Sequence, residues 1–283
     1  MHFCRLRLIF AAAVLVSLTA GCTSDTTESP VAERTVEAVT LPVKVPYGDL
    51  AGQYGWLDLP SLEPPAKGYP VVILVHGGFW SEPWDYTLMS PLATDLVGRG
   101  YATWNIEFRR LGGFGGFPET FDDVGAAVDL LGEMAGGQSH GAAGIYPQPD
   151  LDLSRIILIG HSSGGHLALW ALGRDNALVQ PVAAVGLGAI TDLDVFPQSQ
   201  TLLGGDRSAF PQRYAFAAPE LDPERVVLIH GSGDSIVPRS SLAQAESLGT
   251  PIVEIDGNDH FDLIDPTSTA WAAAIQAITE AIG

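Results

Sequence analysis

The 283-residue chain has only two cysteines, Cys4 and Cys22, both near its N-terminus. No disulfide can brace the rest, so stability there must come from a buried core. Positive charge is scarce as well: 14 Lys and Arg stand against 33 Asp and Glu, a formal net charge of −19. Such a surface repels phosphate backbones and anionic lipid headgroups, so no nucleic-acid partner is expected. Metal-ligand spacing such as H-E-x-x-H is missing, and no Gly-Lys-Ser/Thr follows the glycine run at 112–117. Neither a metal nor another cofactor is therefore expected. Repeats, low-complexity blocks and runs of like charge are missing too, which argues for one domain rather than an array.

The one long apolar run spans residues 8–20, 13 residues. That is too short to cross a hydrocarbon core of roughly 30 Å as a helix. Arg5 and Arg7 precede it, and the small residues Ala20 and Gly21 follow. This is a secretory signal pattern. Leu18-Thr19-Ala20-Gly21-Cys22 resembles a bacterial lipobox, with threonine where leucine is usual. The expected layout is a signal peptide over 1–21, a lipid-tether linker over 22–38 with the lipid on Cys22, and a folded domain over 39–283. The location that follows is the bacterial cell envelope, with plain secretion as the alternative. Membrane contact then comes from the lipid and not from a basic face.

Inside the domain, strand and helix signals alternate. Strands are expected at 39–45, 53–59, 71–75, 101–108, 155–159, 182–187, 226–229 and 252–255. Helices are expected at 86–97, 118–134, 163–172 and 267–282. This spacing implies right-handed crossovers and a mainly parallel sheet covered on both faces. Sites in such α/β sheets lie at the carboxyl ends of the strands.

Chemistry-bearing residues fall at those ends. Gly160-His161-Ser162-Ser163-Gly164 is G-x-S-x-G, directly between a strand and a helix. The bare pattern is weak, and a serine N-cap would also fit it. The context decides: a serine on a sharp turn needs small flanking residues for close strand–helix packing, which Gly160, Gly164 and Gly165 supply. Ser162 is the candidate nucleophile. His76-Gly77-Gly78-Phe79-Trp80 follows the strand at 71–75. Alone it is a tight turn; beside the serine elbow it suggests an oxyanion hole from the N–H groups of Gly78, Phe79 and Ser163. His76 itself reads as a turn-stabilising residue.

Chain order of serine, acid, histidine leaves one base. Of seven histidines, only His260 follows the acid expected after the strand at 226–229. That acid is Asp234, on the loop His230-Gly231-Ser232-Gly233-Asp234. Asp256 and Asp259 are the competing acids, although acids so close in sequence more often cap turns.

HGGFW, GHSSGGHLALW, HGSGD with Val237-Pro238, and DHF together resemble the esterase-like α/β-hydrolases near the hormone-sensitive lipase, feruloyl esterase and kynurenine formamidase groups. The resemblance runs from about residue 45 to the C-terminus. HGG, then an aromatic residue and Trp80, is most similar to the kynurenine formamidase group. The resemblance implies an α/β-hydrolase fold with a small cap or none, and Ser162, Asp234 and His260 as the triad. Export and an apparent insertion at 136–150 depart from a formamidase, so reaction type is implied and not substrate.

The expected activity is hydrolysis of a small-molecule carboxylic ester or small amide through an acyl-enzyme. Two alternatives stand beside it: an exopeptidase-like or arylformamidase-like amide hydrolase, and a non-catalytic lipid-anchored binding protein on a hydrolase scaffold. Trp80, Trp84 and the loop at 112–117 are expected pocket walls. Residues 192–225 read either as a small cap or as a surface excursion with its own core. Oligomeric state is left open. For the anchor, replacing Cys22 with Ala should move the protein from the membrane to the soluble fraction of fractionated cells; retention on the membrane would overturn lipidation.

Overall fold

The structure, a computed structural model, describes residues 42–135 and 149–283. The signal, Cys22 and linker expectations, and most of the 136–150 loop, lie outside the described residues.

Among the described residues, eight strands form one sheet. β1 (Val43–Pro46) and β2 (Tyr54–Asp58) pair antiparallel, and β2 pairs antiparallel with β4 (Ala102–Ile106). The rest is parallel: β4 beside β3 (Tyr69–Val75), then β5 (Leu151–His161), β6 (Ala183–Leu187), β7 (Val226–Gly231) and β8 (Ile252–Ile255). Sheet order is β1-β2-β4-β3-β5-β6-β7-β8. Strand order reverses about β3, because β4 lies on one side of it and β5 on the other. A crevice opens at such a switch point, beyond the carboxyl ends of β3 and β5.

Every residue of β3 is buried. Val71, Ile73 and Val75 join Ile156 and Leu158 in one core, against Phe121, Val124 and Val128 of α2 (Glu119–Ala135) and Leu167 of α3 (Ser163–Leu172). Val72, Leu74, Ile157 and Ile159 face the other way. They pack against Leu92 and Leu96 of α1 (Ser90–Gly98) and Trp271 and Ile278 of α7 (Thr269–Ile282). A strand covered on both faces has no polar alternation, which is why β3 reads as an unbroken apolar run. Each such side chain contributes about 1.5–3 kcal/mol by leaving water. α7 starts where Ser268 accepts a hydrogen bond from Trp271 N at 3.0 Å, and the Trp271 indole donates to Asp95 of α1 at 2.7 Å.

The chain departs from expectation in several places. The helix expected at 86–97 begins as a 3-10 turn (Tyr86–Met89), and α1 starts at Ser90, next to Pro91. Proline lacks an N–H and suits a first helical turn, not an interior. β5 starts four residues before the strand expected at 155–159, because Leu151 and Asp152 pair with Tyr69 and Pro70. Three short helices were not expected: α4 (Pro197–Leu203), α5 (Pro211–Phe216) and α6 (Ala243–Leu248). α4 and α5 lie within residues 192–225, where Leu202, Leu203, Tyr214 and Ala217 are buried. Phe216 meets the rings of Phe117, Phe121 and Trp170 at 5.3–5.6 Å, on the α2–α3 side. This segment is a surface excursion, but its buried side chains join the core on the α2–α3 side of the sheet rather than forming a core of their own.

Gly160 stands where β5 and α3 touch. A Cβ there would lie 2.2 Å from Gly164 O and 2.6 Å from Gly165 Cα, backbone atoms that no rotamer change can move. Gly160→Ala should lower stability by about 1–3 kcal/mol, as overpacked cores do, read as a lower urea midpoint. A wild-type midpoint would show that strand and helix can part at no cost.

Candidate active site

Ser162 stands between β5 and α3, at the N-cap of the helix, with φ 56° and ψ −122°, a positive-φ conformation that non-glycine residues rarely adopt. Its N–H donates to Leu187 O at 2.9 Å, and its carbonyl accepts from Ile190 N and His166 N at 3.1 and 3.2 Å. These bonds hold the strained turn in place. The glycines about it have no room for a side chain: a Cβ on Gly164 would lie 2.1 Å from His76 O, and one on Gly165 2.5 Å from Ala189 Cβ.

Across the crevice, His260 Nδ1 stands 2.7 Å from Asp234 Oδ2. A carboxylate accepts, so Nδ1 carries the hydrogen and Nε2 is left with a lone pair. The other Asp234 oxygen accepts from Ile236 N and Val237 N, both at 2.9 Å. Burial would raise the Asp234 pKa, but the bonds from His260 and these two amides outweigh it and hold the group below the usual carboxylate range. Asp256 and Asp259 are turned elsewhere. Asp256 accepts from Ser232 Oγ, and Asp259 caps its own turn through Phe261 N and Asp262 N.

Gly188, at the end of β6, was not singled out from sequence. A Cβ on it would stand 3.0 Å from Asp234 Oδ2 and 3.1 Å from His260 Nδ1, and its φ is +51°. Glycine after a buried strand was the available signal.

Ser162 and His260 line one cavity of about 90 Å³, with Gly78, Phe79, Trp84, Leu88, His161, Ile236 and Phe261. Among the described residues, no hydrogen bond joins the Ser162 hydroxyl to His260, and no protein acceptor takes the N–H of Gly78, Phe79 or Ser163. The loop that carries Gly78 and Phe79 is fixed from below. Trp80 N donates to Ser163 Oγ at 3.2 Å. Glu107, 2% exposed, accepts from Tyr86 N at 3.2 Å and Phe108 N at 2.9 Å, pairs with Arg110, and lies 3.1 Å from His76 Nε2. One buried carboxylate thus ties both ends of the 76–86 loop. Sequence reading passed over Glu107, although an acid at the end of an apolar strand was the signal.

Residues 57–182 match the BD-FAE family model. No curated protein matches the chain by sequence. Among solved structures, a bifunctional GH43-CE protein of Bacteroides eggerthii is 21% identical with a TM-score of 0.67, the match covering 84% of this chain and 38% of that one. This chain therefore spans little more than a third of that protein. A truncated carbohydrate esterase from gut microbiota is 18% identical with a TM-score of 0.66, over 84% and 94% of the two chains. Est2, a thermophilic esterase from Thermogutta terrifontis in its propionate-bound form, is 17% identical with a TM-score of 0.64, over 84% and 92%. The chain has the α/β-hydrolase fold.

Within this fold, two expected pocket walls are corrected. Trp80 is 1% exposed and points into the core, its ring edge-on to His166 at 5.4 Å. The large indole gains more from full burial than from the rim, and the positive φ of 57° at Trp80 turns it inward. The 112–117 loop does not line the cavity: Phe114 is exposed, and Phe117 packs on Phe121 and Phe216. Trp84 does line it, 42% exposed, 6.3 Å from the ring of Phe261. No residue of 192–225 reaches the cavity wall. A larger hollow of about 670 Å³ lies beside Asp122, Arg174 and Phe216, away from Ser162 and His260. Among the described residues, no group of three or more His, Cys, Asp and Glu is arranged to hold a metal ion.

Two further histidines are buried and uncharged. Burial, with His260 adding to it, holds His161 at a pKa of about 3. Burial holds His166 at about 4, against the partial compensation of its bond to Ala217 O at 2.7 Å. Unfolded, both would take up protons below pH 6.5; folded, they refuse them down to about 4 and 3. Their contribution to stability is complete above the unfolded value and falls as pH drops toward the folded ones, by up to about 1.4 kcal/mol per pH unit for each histidine. Proton uptake on unfolding at pH 5 should fall by about one in His166→Gln, measured by calorimetry in buffers of different ionisation enthalpy. Unchanged uptake would show that His166 is already charged in the folded protein.

Proposed function

We propose that this chain is a serine hydrolase that cleaves carboxylic esters through an acyl-enzyme. The carrying observation is the shared cavity: a strained serine and an Asp-oriented histidine line it together, with the three N–H groups of Gly78, Phe79 and Ser163 beside them lacking protein acceptors. Ser162 Oγ attacks the carbonyl carbon as His260 Nε2 takes its proton. The amides of Gly78, Phe79 and Ser163 receive the charge that develops on the carbonyl oxygen. His260 then gives its proton to the departing alcohol. Water, deprotonated by the same imidazole, attacks the acyl carbon, and the acid leaves as Ser162 regains its hydrogen. Asp234 fixes the tautomer and stabilises the imidazolium.

The cavity wall is nearly all apolar apart from the reacting groups, and its volume of about 90 Å³ is small. Short acyl chains fit that space. The BD-FAE match and the esterase neighbours, one with propionate bound, support the reading. The cell-envelope location inferred from residues 1–22 belongs to the same proposal.

A fluorophosphonate probe should label the wild type and leave Ser162→Ala unlabelled. Turnover of p-nitrophenyl acetate should fall by at least about 10³-fold in that variant. Across a chain-length panel, kcat/KM should be greatest at two to four acyl carbons, by roughly tenfold over long chains. Labelling that survives Ser162→Ala would end the proposal, and preference for long chains would end its acyl assignment.

A further inference from the structure

The proposed chemistry requires the Ser162 hydroxyl and the His260 imidazole to meet, yet no bond between those two side chains holds them at a set distance. His161 does join the two residues. Its main chain is continuous with Ser162, and its side chain reaches the far loop, with Nε2 3.0 Å from the carbonyl oxygen of His260. A carbonyl oxygen only accepts, so Nε2 carries the hydrogen. The His161 ring also lies against the His260 ring, centroids 4.4 Å apart, and 6.1 Å from that of Phe261. His161 is 2% exposed, and its Nδ1 is buried with no partner. A hydrogen on that atom would be a buried donor without an acceptor, which costs about 1–3 kcal/mol. Packing and hydrogen bonding therefore select the same tautomer. A Cβ on Gly77 would stand 2.9 Å from Nδ1, so the oxyanion loop closes the remaining side.

We infer that His161 is a positioning residue: through its Nε2–H it holds the His260 main chain beside Ser162 and so sets the gap that the proton must cross. The strap is short because it starts one residue from the nucleophile and ends on the base residue itself. It also stays uncharged. The groups facing His161 are His260, Asp234 and His76, and burial with the neighbouring His260 holds its pKa at about 3. A cation there would oppose the imidazolium that His260 must become. Misplacement of a reacting group by about 1 Å can cost up to about 100-fold in rate, so a strap of this kind acts on kcat.

This inference rests on the roles proposed for Ser162 and His260, and two measurements keep the readings apart. Nitrogen-15 NMR of the wild-type histidine rings should show His161 as the Nε2–H tautomer, unchanged from about pH 5 to pH 9. An Nδ1–H tautomer, or titration within that window, overturns the inference. His161→Phe keeps the ring and removes the donor; kcat should fall by about 10- to 100-fold while KM stays within about twofold. His161→Gln restores an N–H and should recover much of the loss. Wild-type kcat in His161→Phe, no recovery in His161→Gln, or a loss confined to KM overturns it. Should His161→Phe fail to fold, the NMR measurement and His161→Gln decide. Turnover that survives Ser162→Ala would instead sink the proposed function and leave the tautomer result standing.

Discussion

Backbone against backbone, with no side chain between, is the constraint on which this structure depends. Gly160, Gly164 and Gly165 let β5, α3 and the loop after β3 approach until a single methyl group would collide with main-chain atoms or Ala189. That closeness forces the chain to turn sharply at Ser162 and gives the serine its positive φ. It also brings Gly78 and Phe79, from a loop far away in sequence, to the same cavity wall. The cost of the turn is local, and two sheet cores of interlocking aliphatic side chains offset it.

Charge in the crevice is sparse and assigned. Among the described residues, Asp234 is the carboxylate hydrogen-bonded to the His260 ring, held ionised by amides and by the imidazole. His161 and His166 are buried so deeply that they stay neutral. The next carboxylate, Glu107, is turned down into the loop scaffold, where it binds His76, Tyr86 and Arg110. One part of the acid–base equipment is thus aimed at the cavity and the other supports the loop that shapes it. Both are buried, so solvent screens neither.

Much of the fold could be read in advance, because long apolar runs between glycines and helical patterns survive without tertiary context. β3, β5 and β7 are of this kind, and so is α3 behind the G-x-S-x-G turn. Short helices such as α4, α5 and α6 could not be read. Six or seven residues carry too little periodicity, and what stabilises them is packing on α2, α3 and their neighbours. The site was legible where a residue sits on a strand end with a glycine beside it, as Ser162 and Asp234 do. Trp80 was misread because proximity in sequence to the oxyanion loop says nothing of which way an indole turns. Phe261 and Gly188 were passed over because each acquires its place only from an element distant in sequence.

The sequence by itself determined the alternation of buried strands and covering helices, the serine between glycines, and a chain order that left one candidate histidine and put Asp234 ahead of Asp256 and Asp259 as its acid. Local geometry and hydrophobic period are written within a few residues, so they need no partner to be read. Only the tertiary structure decided that His260 bonds Asp234 rather than its sequence neighbours Asp256 and Asp259. It alone decided that Trp84 and Phe261 wall the cavity while Trp80 is core, and that His161 bridges two loops 99 residues apart. Such choices depend on distances between segments that the sheet order brings together, and no stretch of residues carries those distances on its own.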